Sequence, residues 1–144
     1  MSEESNKALV QRFYDEVWAK GNLDVADEVF SEDYVRHDLR AGDPTPGPAG
    51  QKEIAAAFRD AFPDLTWQID FLLADGDFVA GRWTVGGTHL GPWAGVEATG
   101  RTMRFSAINV FRFEDGKVVE LWNHRDDLGL MHQLGGPVHA GAPE

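Results

Sequence analysis

Asp115-Gly116 sits between two apolar, alternating stretches, and few dipeptides restrict a chain as strongly. Both central residues of a type I′ turn require positive φ, which Asp followed by Gly tolerates, so the pair predicts a tight antiparallel hairpin. One strand then ends near Glu114 and its partner begins near Lys117. Along the partner the period of two puts Val119, Leu121, Asn123 and Arg125 on one face and Glu120, Trp122 and His124 on the other. Asp126 or Asp127 then caps a short helix bearing Leu128, Leu130, Met131 and Leu134, which stops at Gly135-Gly136-Pro137.

Upstream the period is helical. Ser5 or Ser2 is a candidate N-cap for a helix that places Leu9, Val10, Phe13, Tyr14, Val17 and Trp18 at spacings of three and four and ends at Gly21. Each such side chain contributes about 1.5–3 kcal/mol when buried, so the helix needs a broad apolar partner, and a sheet is the natural one. Asn22 caps a second helix carrying Leu23, Ala26, Val29 and Phe30. Tyr34-Val35 reads as a short strand leading into Arg36, His37 and Asp38, before a proline- and glycine-rich loop at 42–48 that forms a lip over a site. A third helix, about Gln51 to Ala61, carries Ile54, Ala55 and Phe58 and stops at Pro63-Asp64. From Leu65 onward the period is that of strands, at 65–74, 77–85 and 102–113, with a turn at Asp75-Gly76-Asp77. The glycine-rich segment 86–95 lacks the strand-then-helix setting of a phosphate-binding loop and reads as a long connection with Trp93 packed beneath it.

Helices followed by long strands predict an α+β domain spanning 1–144: a cone-shaped, curved antiparallel sheet with three N-terminal helices on its concave face and a short C-terminal helix, residues 136–144 forming a flexible tail. With 13 basic against 24 acidic residues the net charge is −11, which repels phosphate backbones and argues against nucleic-acid partners. Apolar runs are too short for a membrane span, and the acidic opening Met1-Ser2-Glu3-Glu4 does not resemble a secretion signal, so the expected location is cytoplasmic. The absence of cysteine excludes disulfides and thiolate chemistry, and no histidine spacing suits a metal, so no metal or cofactor is expected.

The segments G-T-H-L-G and T-G-R-T-M-R-F-S-A-I-N-V-F-R-F-E-D-G-K-V-V-E-L-W-N-H-R-D-D-L-G-L-M-H-Q-L-G, with the opening N-K-A-L-V-Q-R-F-Y-D-E-V-W, resemble the SnoaL-like polyketide cyclases, also labelled ester cyclases, of the nuclear transport factor two-like superfamily. The resemblance extends over nearly the whole chain. It implies a cone with an interior pocket and cofactor-free aldol chemistry, in which an aspartate on the last strand moves a proton and a histidine on the preceding strand supports it. Those two positions fall on Asn123 and Asn109 here. An amide is no base at neutral pH, but it donates and accepts hydrogen bonds, so these residues are candidates for holding a carbonyl or enolate oxygen.

Proton transfer then falls to other groups. His37 is a candidate near the mouth of the cone, and Asp126 follows the last strand closely, where helix capping is its competing role. Arg82 is a candidate for binding an anionic or carbonyl oxygen, with an ion pair within the sheet as the alternative. Trp83 and Trp122 are candidates for lining a pocket for a flat substrate, with ordinary packing as their alternative. Glu120, Trp122 and His124 share the face that commonly forms a homodimer in this fold class. The function expected is a cofactor-independent SnoaL-like enzyme acting on a hydrophobic carbonyl-containing small molecule. The alternatives are a non-catalytic binding protein for such a ligand, or a hydrolase or hydroxylase relative.

Overall fold

A computed structural model describes residues 2–37 and 47–135. The tail at 136–144 and most of the proline-rich loop, at 42–46, lie outside the described residues. The elements are α1 (Glu3–Arg12), running on as a wider helix over Phe13–Ala19; a 3₁₀ turn (Leu23–Val25) and α2 (Ala26–Val29); β1 (Phe30–His37); α3 (Gly47–Ala61); β2 (Thr66–Asp75); β3 (Phe78–Thr88); β4 (Thr102–Glu114); β5 (Lys117–Arg125); and α4 (Asp127–Leu134).

The five strands form one open sheet in the order β1-β5-β4-β3-β2. β2 to β5 pair antiparallel as expected, β4 running into β5 through the Asp115-Gly116 turn, where φ is 51° and 78°. The sheet is nevertheless mixed, because β1 lies parallel to β5. This corrects the reading of a wholly antiparallel sheet and of Phe30 as the end of a helix. Phe30 and Tyr34 are both buried, 1% and 3% exposed, and an extended chain along the sheet edge seats both rings while α2 contributes only a single turn.

Alternation along the strands decides which face meets the helices. Met103, Phe105, Ala107, Phe111 and Phe113 of β4 point inward with Val79, Trp83 and Val85 of β3. A one-residue slip would turn all of these outward at about 1.5–3 kcal/mol for each larger side chain, which fixes the register. In β5 the pairing skips a residue, Arg112 opposing Glu120 but Phe113 opposing Val118. This bulge puts Val118 into the core at 0% exposed and leaves Val119 only partly buried, correcting the face assigned to Val119 while Leu121 and Asn123 stay inward.

Ser2 and Ser5 form a reciprocal cap at the start of α1, each side chain meeting the other's backbone N–H at 3.0 Å. Beyond Arg12 the helix widens to i→i+5 bonding, a form often found at functional sites, and its buried side chains there are Phe13, Tyr14, Val17 and Trp18. Its last carbonyls, of Trp18 and Ala19, accept from Arg59 of α3 at 2.6 and 3.1 Å. The widened helix lies very close to β3. A β-carbon placed at Gly81 would stand 2.6 Å from the Tyr14 hydroxyl and 3.0 Å from Leu72 Cδ2, so the absence of a side chain there admits Tyr14 to the sheet.

Gly81→Ala should therefore destabilise the protein by about 1–3 kcal/mol through overpacking, read as a lowered denaturation midpoint with an unchanged slope. A midpoint equal to that of the parent would show that the close approach is not a constraint.

Candidate functional site

Register places Asn109 of β4 directly opposite Asn123 of β5, both on the inward face and 6% and 7% exposed. Such groups are costly in a core unless bonded. Asn109 Oδ1 accepts from the Tyr14 hydroxyl at 2.9 Å and from Trp83 Nε1 at 2.7 Å, and Asn109 Nδ2 donates to Asn123 Oδ1 at 2.7 Å. The indole N–H only donates, so it must meet the oxygen of Asn109, and this fixes the direction of the whole chain of bonds. Burial pushes the Tyr14 hydroxyl well above its ordinary value of 10.0, so it stays protonated and keeps donating. The donor chain runs Tyr14 and Trp83 to Asn109 to Asn123.

These amides face a cavity of about 20 Å³ between the sheet and the widened helix. By that measure it holds the centre of about one water molecule, or one small functional group. Trp18 and Trp83 form part of its wall, and Trp67 stacks between them, its ring 5.3 Å from Trp18 and 4.2 Å from Trp83. The wall also carries Arg36, Gln51 and Arg125, which were not among the site candidates read from the sequence. Gln51 is 1% exposed, and its Oε1 accepts from the Tyr34 hydroxyl at 3.2 Å and from Arg36 Nη1 at 3.4 Å. Arg125 was legible in part, since the period of two already put it on the face of Leu121 and Asn123. Tyr14, which reaches Asn109, and Arg36 and Gln51, which reach each other, left no such signal, because these contacts join segments far apart in the chain. Among the described residues no carboxylate lines this cavity.

The remaining sequence candidates lie elsewhere. His37 Nε2 sits 2.9 Å from Glu120 Oε2, and its ring stacks on Trp122 at 5.0 Å. This partnership, then the hydrogen bond from Arg112, holds the Glu120 carboxyl below its ordinary value of 4.5. Arg82 is ion-paired to Asp70 and donates to Ser106 Oγ at 3.1 Å. Burial alone would raise the Asp70 carboxyl, but hydrogen bonds from Thr84, Gln68 and Arg82 outweigh it and hold that group below 3.8. Asp126 is the N-cap of α4, accepting from the Gly129 N–H at 2.9 Å. Parity explains the separation: Arg82 and Trp122 are each one residue out of step with Trp83 and Asn123, and His37 pairs in register with Trp122. The structure thus gathers Asn109, Asn123 and Trp83 at the cavity and leaves His37, Arg82, Trp122 and Asp126 outside its wall.

A larger open groove of about 590 Å³ lies by the Asp115-Gly116 turn, at the other end of β5 from Arg125. Its wall is mostly acidic and contains none of the amide network. The smaller cavity therefore carries the candidate chemistry despite its size.

The family model of SnoaL-like polyketide cyclases matches residues 8–134. The chain belongs to that family. TsrD from Streptomyces laurentii superimposes with a TM-score of 0.86 at 26% identity, over 95% of this chain and 99% of TsrD. AclR from Streptomyces galilaeus, a proposed hydroxylase, gives 0.81 at 30% identity over 93% of this chain and 98% of AclR. A proposed polyketide cyclase from Acidithiobacillus ferrooxidans gives 0.78 at 34% identity over 94% of this chain and 98% of its own. No curated protein matches the sequence. The mixed sheet with helices on its inner face is the cone fold of this SnoaL-like family. No helix among the described residues is long and apolar enough to cross a membrane, and no cluster of three or more metal-binding side chains occurs among them.

Asn109→Leu strands two buried donors, the Tyr14 hydroxyl and Trp83 Nε1, and removes one bond of Asn123. Tyr14→Phe removes one donor and leaves Trp83 bonded to Asn109. The first should cost about 1–3 kcal/mol for each stranded group and the second about 0.5–1.5 kcal/mol in all. Urea denaturation of both variants tests this ordering, and equal losses would mean that Asn109 is not the hub.

Proposed function

We propose that this SnoaL-like protein is a cofactor-independent enzyme that binds a hydrophobic, carbonyl-containing small molecule and stabilises the enolate formed from it. The observation that carries this reading is the Asn109–Asn123 pair on the wall of a buried cavity whose other polar groups are hydrogen-bond donors. Oriented donors around a small, water-poor space favour an oxygen that gains negative charge, because they need no reorganisation as the charge develops. In this reading Asn123 and Asn109 hold the oxygen and Trp83 faces the ligand. Asp126, which follows Arg125 directly but lies outside the cavity wall, moves the proton at the part of the ligand that stays outside the cavity, with His37 as the alternative. The departure from an aspartate at position 123 shifts the work from abstraction at that residue to charge stabilisation.

A binding role without turnover is the second reading, and one feature favours it: no carboxylate or imidazole stands on the cavity wall among the described residues. Exchange of α-protons for deuterium, followed by NMR across a panel of aryl ketones, separates the two. The enzyme reading expects exchange above buffer, abolished by Asp126→Asn and slowed about 10²–10³-fold by Asn123→Leu in folded protein. Affinity without exchange by the wild type would establish the binding role instead. Exchange unchanged in both Asp126→Asn and His37→Ala would remove the proton-transfer assignments.

The same reading includes a cytoplasmic homodimer formed through the outward sheet face. Phe71, Leu73, Phe78 and Ile108 lie together there, 46%, 61%, 44% and 44% exposed. An apolar patch of this kind favours a second copy over water. Sedimentation should give a dimer mass for the wild type and a monomer mass for Ile108→Glu, and a monomeric wild type would refute the assembly.

A further inference from the structure

Arg125 ends β5 on the inward face, its side chain only 3% exposed. Its Nε and Nη2 are buried and make no hydrogen bond among the described residues. Nε does lie 3.2 Å from Asp127 Oδ1, an ion pair by distance without the alignment of a hydrogen bond. The guanidinium stands over the rings of Trp93 and Phe58, 5.2 and 6.0 Å from their centres. Cation–π contacts return about 0.5–2 kcal/mol, whereas burying an incompletely bonded ion costs several. Packing alone does not account for this placement.

We infer that the site takes a ligand with a carboxylate head, which Arg125 receives from inside the cavity; this rests on the small-molecule reading above. A guanidinium presents its N–H groups as a planar fork that matches the two oxygens of a carboxylate. The surroundings suit the same group. The second guanidinium on the wall is Arg36, and no acidic side chain lines the cavity among the described residues. Gln51 spends its oxygen on Tyr34 and Arg36, so its –NH₂ end is what it offers a ligand. Asn109 directs the hydrogen-bond chain toward Asn123. The volume of about 20 Å³ takes one small group and not a ring, so a carboxylate held there fills the place of the carbonyl oxygen in the reading above, and the apolar body of the ligand stays outside the cavity.

Benzoate and benzamide have nearly the same shape and differ in charge, so they serve as probes, read by tryptophan fluorescence and by thermal shift. Wild-type protein should bind benzoate saturably and melt at higher temperature with it, and should ignore benzamide at equal concentration. Arg125→Met should weaken benzoate about 10- to 100-fold, the loss expected for a charge-assisted hydrogen bond, and Arg125→Lys should fall between them. Equal response to both probes, or benzoate affinity unchanged in Arg125→Met, overturns the assignment. If Arg125→Met does not fold, Arg125→Lys decides, since undiminished affinity there excludes recognition by the fork. Exchange of neutral ketones without benzoate binding would refute the carboxylate and leave the enzyme reading standing. Arg125-dependent benzoate binding without exchange would do the reverse.

Discussion

Asn109 Oδ1 accepts two hydrogen bonds at once, one from the helix layer through Tyr14 and one from the neighbouring strand through Trp83, while the same amide donates to Asn123 on the other side. Three elements therefore meet at one side chain deep in the core. Apolar packing tolerates small shifts in many directions, but a buried amide with all partners made tolerates few, since each lost bond leaves a polar atom uncompensated. The position of the widened helix against β3 follows from this, and so does the need for Gly81, which leaves the room that the Tyr14 hydroxyl occupies.

That network also defines what kind of chemistry the cavity supports. Asn123 and Asn109 fall where the resemblance to the aldol cyclases implies an aspartate and a histidine, and neither amide moves a proton at neutral pH. Their value lies in orientation. The charged side chains on the cavity wall are two guanidiniums, Arg36 and Arg125, inside a chain whose net charge is −11. The acidic residues instead occupy the outer surface and the groove beside the Asp115-Gly116 turn.

Much of the architecture was legible because it rests on local rules. The dipeptide at 115–116 placed the hairpin through the positive φ that both residues adopt, and the period of two placed Leu121, Asn123 and Arg125 together. Two features escaped that reasoning. The parallel pairing of β1 is a non-local contact with no turn to announce it. The bulge opposite Arg112 moves Val118 inward in place of Val119, and only the partner strand determines that. The candidate site divided the same way: strand parity put Asn109, Asn123 and Trp83 on the cavity wall and Arg82 and Trp122 on the opposite face of their strands.

By itself, then, the order of residues determined the elements, the inward face of β4 and most of β5, and the presence of an amide on each of those faces at 109 and 123, since each depends on spacing along one strand or one turn. Tertiary structure decided which helix side chains complete the site. Tyr14, Arg36 and Gln51 come from segments far apart in the chain, and only tertiary packing brings the Tyr14 hydroxyl to Asn109 and Arg36 and Gln51 to the cavity wall. The same packing buries Arg125 beside Trp93 with Asp127 as its ion-pair partner and leaves two of its nitrogens without a hydrogen bond.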